Sequence, residues 1–146
     1  MPTLYTIGFT QKTLAEFIGA LRGAGVTRVV DIRLKNTSQL AGFAKGRDLE
    51  FLLGEGFGIG YCHEPELAPT EEMLKAYEAT KDWPAYQAGF LGLAQERQIE
   101  HIGQRLLAGG GTLCLLCSEP EADCCHRRLV AEYWAARLPE VAIRHL

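Results

Sequence analysis

Between Gly109-Gly110-Gly111 and Ser118-Glu119 the chain carries Leu113-Cys114-Leu115-Leu116-Cys117, five apolar residues without a break. A strand with one wet face alternates apolar and polar residues. This one does not, so it reads as buried on both faces, the condition of a strand inside a parallel sheet covered by helices on either side. The rest of the chain agrees. Leu4 to Gly8 is a first strand. Thr13 and Glu16 have capping-box spacing, and Leu14, Phe17, Ile18 and Leu21 then define one apolar helix face, which Gly23 and Gly25 end. Val26 to Ile32 is a second strand. Strand, helix and strand within about 30 residues form a βαβ unit, whose strands are parallel.

Beyond it, Arg33 to Gly46 shows no period, and a loop of that length in a compact domain is usually functional or disordered. The pattern then predicts a short helix over Asp48 to Gly54, a third strand over Ile59 to His63, and a helix capped by Thr70 over Glu71 to Ala79. A further helix runs over Pro84 to Arg97 and either continues or breaks before Ile99 to Leu107. The fourth strand is Thr112 to Cys117, the last helix His126 to Arg137, and Val141 to His145 a short final strand. The expectation is a single α/β domain over residues 1–146: a three-layer sandwich around a mostly parallel five-stranded sheet in the order 3-2-1-4-5. Gly8, Asp31, Arg33, Cys117 and Glu119 then share one crevice at the carboxyl ends of the strands.

Charge and cysteine content narrow the function. A net charge of −3 does not support general nucleic-acid binding. The four basic residues and no acid from Ile32 to Arg47 favour a focused anion site, while Glu64 to Asp82 carries six acids and two bases. No apolar run approaches the about 20 residues of a membrane span, and no signal segment opens the chain, so a cytoplasmic protein is expected. In a reducing compartment five cysteines read as free thiols, ligands or nucleophiles rather than a disulfide framework.

Cys125 lies near a helix start, where unpaired N–H groups, the helix dipole, His126 and Arg127 all favour a thiolate. It is the better candidate for an activated thiol and Cys117 the second. The competing reading makes Cys117 a small buried hydrophobe and Cys125 a helix cap. Glu119 and Asp31 are candidate acid/base groups, against capping and ion-pair roles. Arg33 and Arg127 offer forks to an anion. Asn36, Gln39 and Lys45, in a loop with Phe43, suit a planar polar ligand such as a nucleobase, and His63 ends the third strand beside the same crevice. Soft metal ligands are present, but six residues separate Cys117 from Cys124, and Cys124 adjoins Cys125. No standard zinc spacing has this form, so no metal site is assigned. Position 123 is Asp, so Cys117 does not open the Cys-x5-Arg loop of cysteine phosphatases, and no GxGxxG or P-loop is present. The chain names no cofactor. Two readings remain: an enzyme acting on a small phosphorylated or nucleotide-like substrate, and a non-catalytic module for a nucleotide, a nucleic-acid end or a metal.

Thr6-Ile7-Gly8, Val30-Asp31-Ile32-Arg33, Leu116-Cys117-Ser118-Glu119 and Cys125-His126-Arg127-Arg128-Leu129 together resemble the DUF488 family, bacterial and archaeal proteins of unknown function. Arg33 to Lys45 and His63 to Thr70 are similar to one subgroup. The resemblance implies an α/β fold and brings no established activity. Phe9 stands where many relatives carry His or Tyr, and Lys35 where the subgroup often has Asn.

Overall fold

The structure, a computed structural model, describes residues 3–36, 45–119, 122–138 and 140–146. Strand β1 (Thr3–Gly8) leads to helix α1 (Leu14–Gly23) and β2 (Arg28–Asp31). Helix α2 (Gly46–Phe51) widens into a π-helical turn at Leu52–Gly56 before β3 (Gly60–His63). Helices α3 (Glu71–Thr80), α4 (Trp83–Arg97) and α5 (Ile99–Ala108) follow. Then come β4 (Leu113–Cys117), α6 (His126–Arg137) and β5 (Ala142–His145). The Thr13–Glu16 capping box and the Thr70 cap both form. Helices α4 and α5 are separate because Gln98 adopts a left-handed conformation between them (φ 54°).

All five strands are parallel, in the order β3-β2-β4-β1-β5. This corrects the expected 3-2-1-4-5: β4 lies between β2 and β1 rather than outside β1. Burial gives the reason. Every residue of β4 is buried, so it takes the centre of the sheet, whereas β1 keeps Thr3 and Tyr5 half-buried and lies one strand from the edge. Strands β3 and β5 have no fully buried residue and take the two edges. Alternate residues feed two cores. Ile7, Val29, Cys114 and Leu116 pack with Phe17 and Leu21 of α1 and Leu49 of α2. Leu4, Val30, Leu113 and Leu115 pack on the other face with Phe90 of α4, Leu106 of α5 and Leu129 and Trp134 of α6.

The new order keeps the crevice. Gly8 pairs with Cys117 and Asp31 with Leu116, so β1, β4 and β2 run out at one level. The chain leaving β4 crosses directly over the end of β1, and Gly8 makes that crossing possible. A Cβ there would overlap the Glu119 carbonyl and press on the Arg127 guanidinium. Backbone cannot retreat as a flexible side chain can. Gly8→Ala is therefore expected to cost about 2–3 kcal/mol in urea unfolding; an unchanged midpoint would show that the crossing is looser than described.

Candidate functional site

At this edge a cleft of about 440 Å³ opens between the carboxyl ends of β2 and β4, the N-terminus of α6 and the flank of α3. That volume lies in the range of small-ligand sites. Cys117, Cys125 and His126 line it together with Arg33 and Glu119, and so do Lys35, Glu71, Lys75, Tyr77, Ser118, Cys124 and Tyr86.

The strand end beneath the cleft is held by a buried ion pair. Asp31 is fully buried and Arg33 is 3% exposed. Arg33 Nε donates to Asp31 Oδ1 at 2.8 Å and Nη2 to Oδ2 at 2.7 Å. The Arg33 backbone N–H also donates to Oδ1, and the Tyr61 hydroxyl donates to Oδ2 at 2.5 Å. Burial alone would raise the Asp31 carboxyl; the hydrogen bonds and charge of Arg33, helped by Tyr61, outweigh it and hold the group below its usual range. Burial, reinforced by the Asp31 charge, pushes the Tyr61 phenol up. Asp31 is thus a positioning residue for Arg33. Asn36 belongs to the same network, donating to Tyr61 Oη at 3.0 Å and to Asp31 Oδ2 at 3.4 Å, and does not line the cleft. The guanidinium also lies over the Phe9 ring, 5.2 Å from its centroid. One nitrogen remains: Arg33 Nη1 is buried and has no hydrogen-bond partner among the described residues.

Two imidazoles bind the carbonyls that follow β2. His126 Nε2 lies 2.8 Å from the Ile32 oxygen and His63 Nε2 lies 2.7 Å from the Arg33 oxygen. A carbonyl can only accept, so each Nε2 carries a proton. Burial drops the His126 pKa to about 4, so its ring is neutral at pH 7. His63 is spent on the Arg33 backbone and does not line the cleft.

The thiols are distributed unlike the sequence pattern. Cys125 is the N-cap residue of α6 in an extended conformation (φ −131°, ψ 140°), yet its side chain makes no capping bond. Its sulfur instead turns inward and is joined to that of Cys117 in a disulfide. This corrects the expectation of five unpaired thiols, because the extended N-cap conformation aims Cys125 at the end of β4 and leaves only Cys62, Cys114 and Cys124 free. Arg127 does not enter the cleft lining. Its guanidinium is buried behind the thiols: Nε donates to Thr6 Oγ1 at 3.1 Å, and Nη1 donates to the Glu119 carbonyl and lies 3.5 Å from Cys117 Sγ. The cation that favours a thiolate therefore lies against Cys117, not Cys125 as expected from chain order. Cys114 faces the opposite core, where burial pushes its thiol up. Lys45 is exposed at the start of α2, away from the cleft, and Gln39 falls outside the described residues.

Sequence reasoning missed the outer wall. Glu71, Leu74, Lys75, Tyr77 and Glu78 lie along one side of α3 and line the cleft. Lys35 Nζ and Lys75 Nζ both approach Glu71 Oε1, at 3.2 and 3.5 Å. Tyr77 and Tyr86 meet with ring centroids 5.1 Å apart, backed by Trp83. The spacing 71, 74, 75, 78 was visible as a helix face, but nothing in it distinguished a cleft wall from a solvated acidic face.

The model described as "Domain of unknown function DUF488" matches residues 13–134 of the 146-residue chain. The chain belongs to the DUF488 family. No curated protein and no solved structure matches it. The DUF488 match spans β2, α3, β4 and the start of α6, and thus every residue of the cleft lining.

The buried pair gives a test of this geometry. Asp31→Asn leaves the Arg33 cation without a charged partner and is expected to cost about 3–5 kcal/mol in urea unfolding at pH 7. Because the folded carboxyl is held below its ordinary value of 3.8, its stabilisation is intact above that pH and is lost as pH falls below it. The gap between wild type and variant should therefore stay constant down to about pH 5 and close only in stronger acid. A gap already closing near neutrality would contradict the pairing.

Proposed function

We propose that the cleft binds a small phosphorylated or nucleotide-like ligand and carries out chemistry on it at the thiol–imidazole floor. The observation that carries this reading is Arg33: a buried, geometrically fixed guanidinium in the cleft lining with Nη1 unsatisfied among the described residues. A buried N–H without a partner costs about 1–3 kcal/mol, which an anionic oxygen from a ligand would recover. Asp31 neutralises Arg33 only in part of its fork and also fixes its direction, so the remaining N–H is preorganised rather than mobile.

The other walls suit the remainder of such a ligand. Tyr77 and Tyr86 offer flat apolar surface to a planar ring. Glu119, exposed at the rim, is a carboxylate placed to meet a polar group of the bound ligand, beside Glu71 and Glu78 on the α3 wall. Cys117, Cys125 and His126 lie beneath and, once the Cys117–Cys125 disulfide is reduced, are the reactive groups of the floor.

Calorimetric titration with AMP and with adenosine tests this reading. AMP is expected to bind at least about tenfold more tightly, the worth of one charge-assisted hydrogen bond. Arg33→Lys, which retains a cation beside Asp31 but loses the fork, should remove most of that preference while the far-ultraviolet circular dichroism stays unchanged. Equal affinity for both compounds, or a preference that survives Arg33→Lys, would overturn the assignment.

A further inference from the structure

The floor of the cleft holds three soft or borderline ligands in one place. One ligand atom each of Cys117, Cys125 and His126 lies within 4.8 Å of the other two. All three residues are buried. In a tetrahedral zinc site with Zn–S bonds near 2.3 Å, neighbouring ligand atoms are separated by about 3.8 Å, so small side-chain rotations suffice. The Cα atoms of Cys117 and Cys125 are 7.8 Å apart. Unstrained disulfides do not span that distance, whereas two thiolates on one cation can.

The surroundings are those of a ligand set. The Ile32 carbonyl accepts from His126 Nε2, which fixes the tautomer and leaves Nδ1 with its lone pair; metal-bound imidazoles are oriented by such carbonyls. Arg127 Nη1 lies 3.5 Å from Cys117 Sγ, as a donor to a ligating thiolate would. The neighbouring Cys124 is exposed, and its thiol approaches the Tyr77 phenol instead, which together with burial pushes that phenol up. When the Cys117–Cys125 disulfide is reduced, two thiolates facing each other in this buried site repel unless a cation lies between them.

We propose that Cys117, Cys125 and His126 bind a borderline-soft divalent cation, zinc in class, with a fourth coordination position open to the cleft. Coordination is balanced: each thiol gives its proton to solvent, and Zn²⁺ with two thiolates and a neutral imidazole carries no net charge. Three protein ligands and one open position is the form of catalytic rather than structural zinc sites. The proposal deepens the reading of this cleft as a ligand site, but it stands on different atoms. Spacing along the chain concealed it, because the strand-to-helix turn, not a Cys-x2-Cys loop, brings the ligands together.

The test uses the full chain without a polyhistidine tag, reduced, stripped with a chelator and titrated with Zn²⁺ alone. One equivalent per chain is expected, with release of up to two protons. Co²⁺ in its place should give tetrahedral visible bands and a thiolate charge-transfer band. Cys117→Ser and Cys125→Ser should each weaken Zn²⁺ binding by more than ~100-fold, beyond the loss that follows from an outer-shell change. Cys62→Ser, on β3 and outside the cleft lining, should not. The wild-type cobalt spectrum keeps the test decisive if a variant fails to fold. Less than a tenth of an equivalent bound, a cobalt spectrum without the thiolate band, equal loss in Cys62→Ser, or a Cys117–Cys125 disulfide recovered under reducing conditions would each overturn the proposal. No nucleotide is present in these titrations. Failure here with the AMP preference intact leaves the Arg33 reading standing, and the converse sinks only that reading.

Discussion

The buried guanidinium of Arg127 is the constraint around which the carboxyl edge of the sheet is arranged. It projects from the first turn of α6, where the helix dipole disfavours a cation, so its position depends on what surrounds it. Thr6 on β1, the Glu119 carbonyl beyond β4 and the Cys117 sulfur all approach it. One side chain thereby joins two adjacent strands to the helix that follows them. Thr6 Oγ1 also meets His145 Nδ1 at 2.5 Å, which extends the connection to the edge strand β5. Gly8 leaves the space in which this happens. With Arg127 in place, the turn after β4 runs over β1 and returns Cys125 to Cys117.

The second strand end is fixed by separate means. Asp31 and Tyr61 hold the Arg33 side chain, while His126 and His63 hold the backbone carbonyls of Ile32 and Arg33, on either side of the Arg33 Cα. His126 belongs to both assemblies: it opens α6, contributes to the thiol cluster and bonds to the chain leaving β2. Two independently braced strand ends thus face each other across one cleft, linked by one imidazole. Rigid elements rather than a loop set the distances, which is what a preorganised ligand or metal site requires.

Much of this was legible before any coordinates. The unbroken apolar run at Leu113–Cys117 required a doubly covered strand, and the Thr13 and Thr70 caps fixed two helix starts. The gathering of Arg33, Cys117 and Glu119 followed from strand-end positions, and the helix start after β4 added Cys125 and His126. Strand order was not legible, because 3-2-1-4-5 and 3-2-4-1-5 make the same local patterns. Both orders put β3 and β5 at the edges; they are separated by the complete burial of β4 against the half-buried Thr3 and Tyr5 of β1, which puts β4 and not β1 at the centre. The roles of Arg127, His63 and Asn36 were also hidden, and the ion pair of Asp31 was one of two open readings. Sequence shows that a polar group lies near a site but not whether its hydrogen bonds turn toward the cleft or into the scaffold, and these four turn into the scaffold. The α3 wall escaped for the opposite reason: its acidic face looks like any solvated helix until the tertiary packing closes the cleft beneath it.

A crystal structure of the reduced protein soaked with AMP reads the central claim, that the two braced strand ends form one ligand site, most directly. The account predicts a phosphate oxygen on Arg33 Nη1, the base against Tyr77 and Tyr86, and Cys117, Cys125 and His126 converging beneath. A nucleotide bound elsewhere on the surface, or a Cys125 thiol turned out to solvent with Arg33 Nη1 bonded to the protein's own chain, would contradict it.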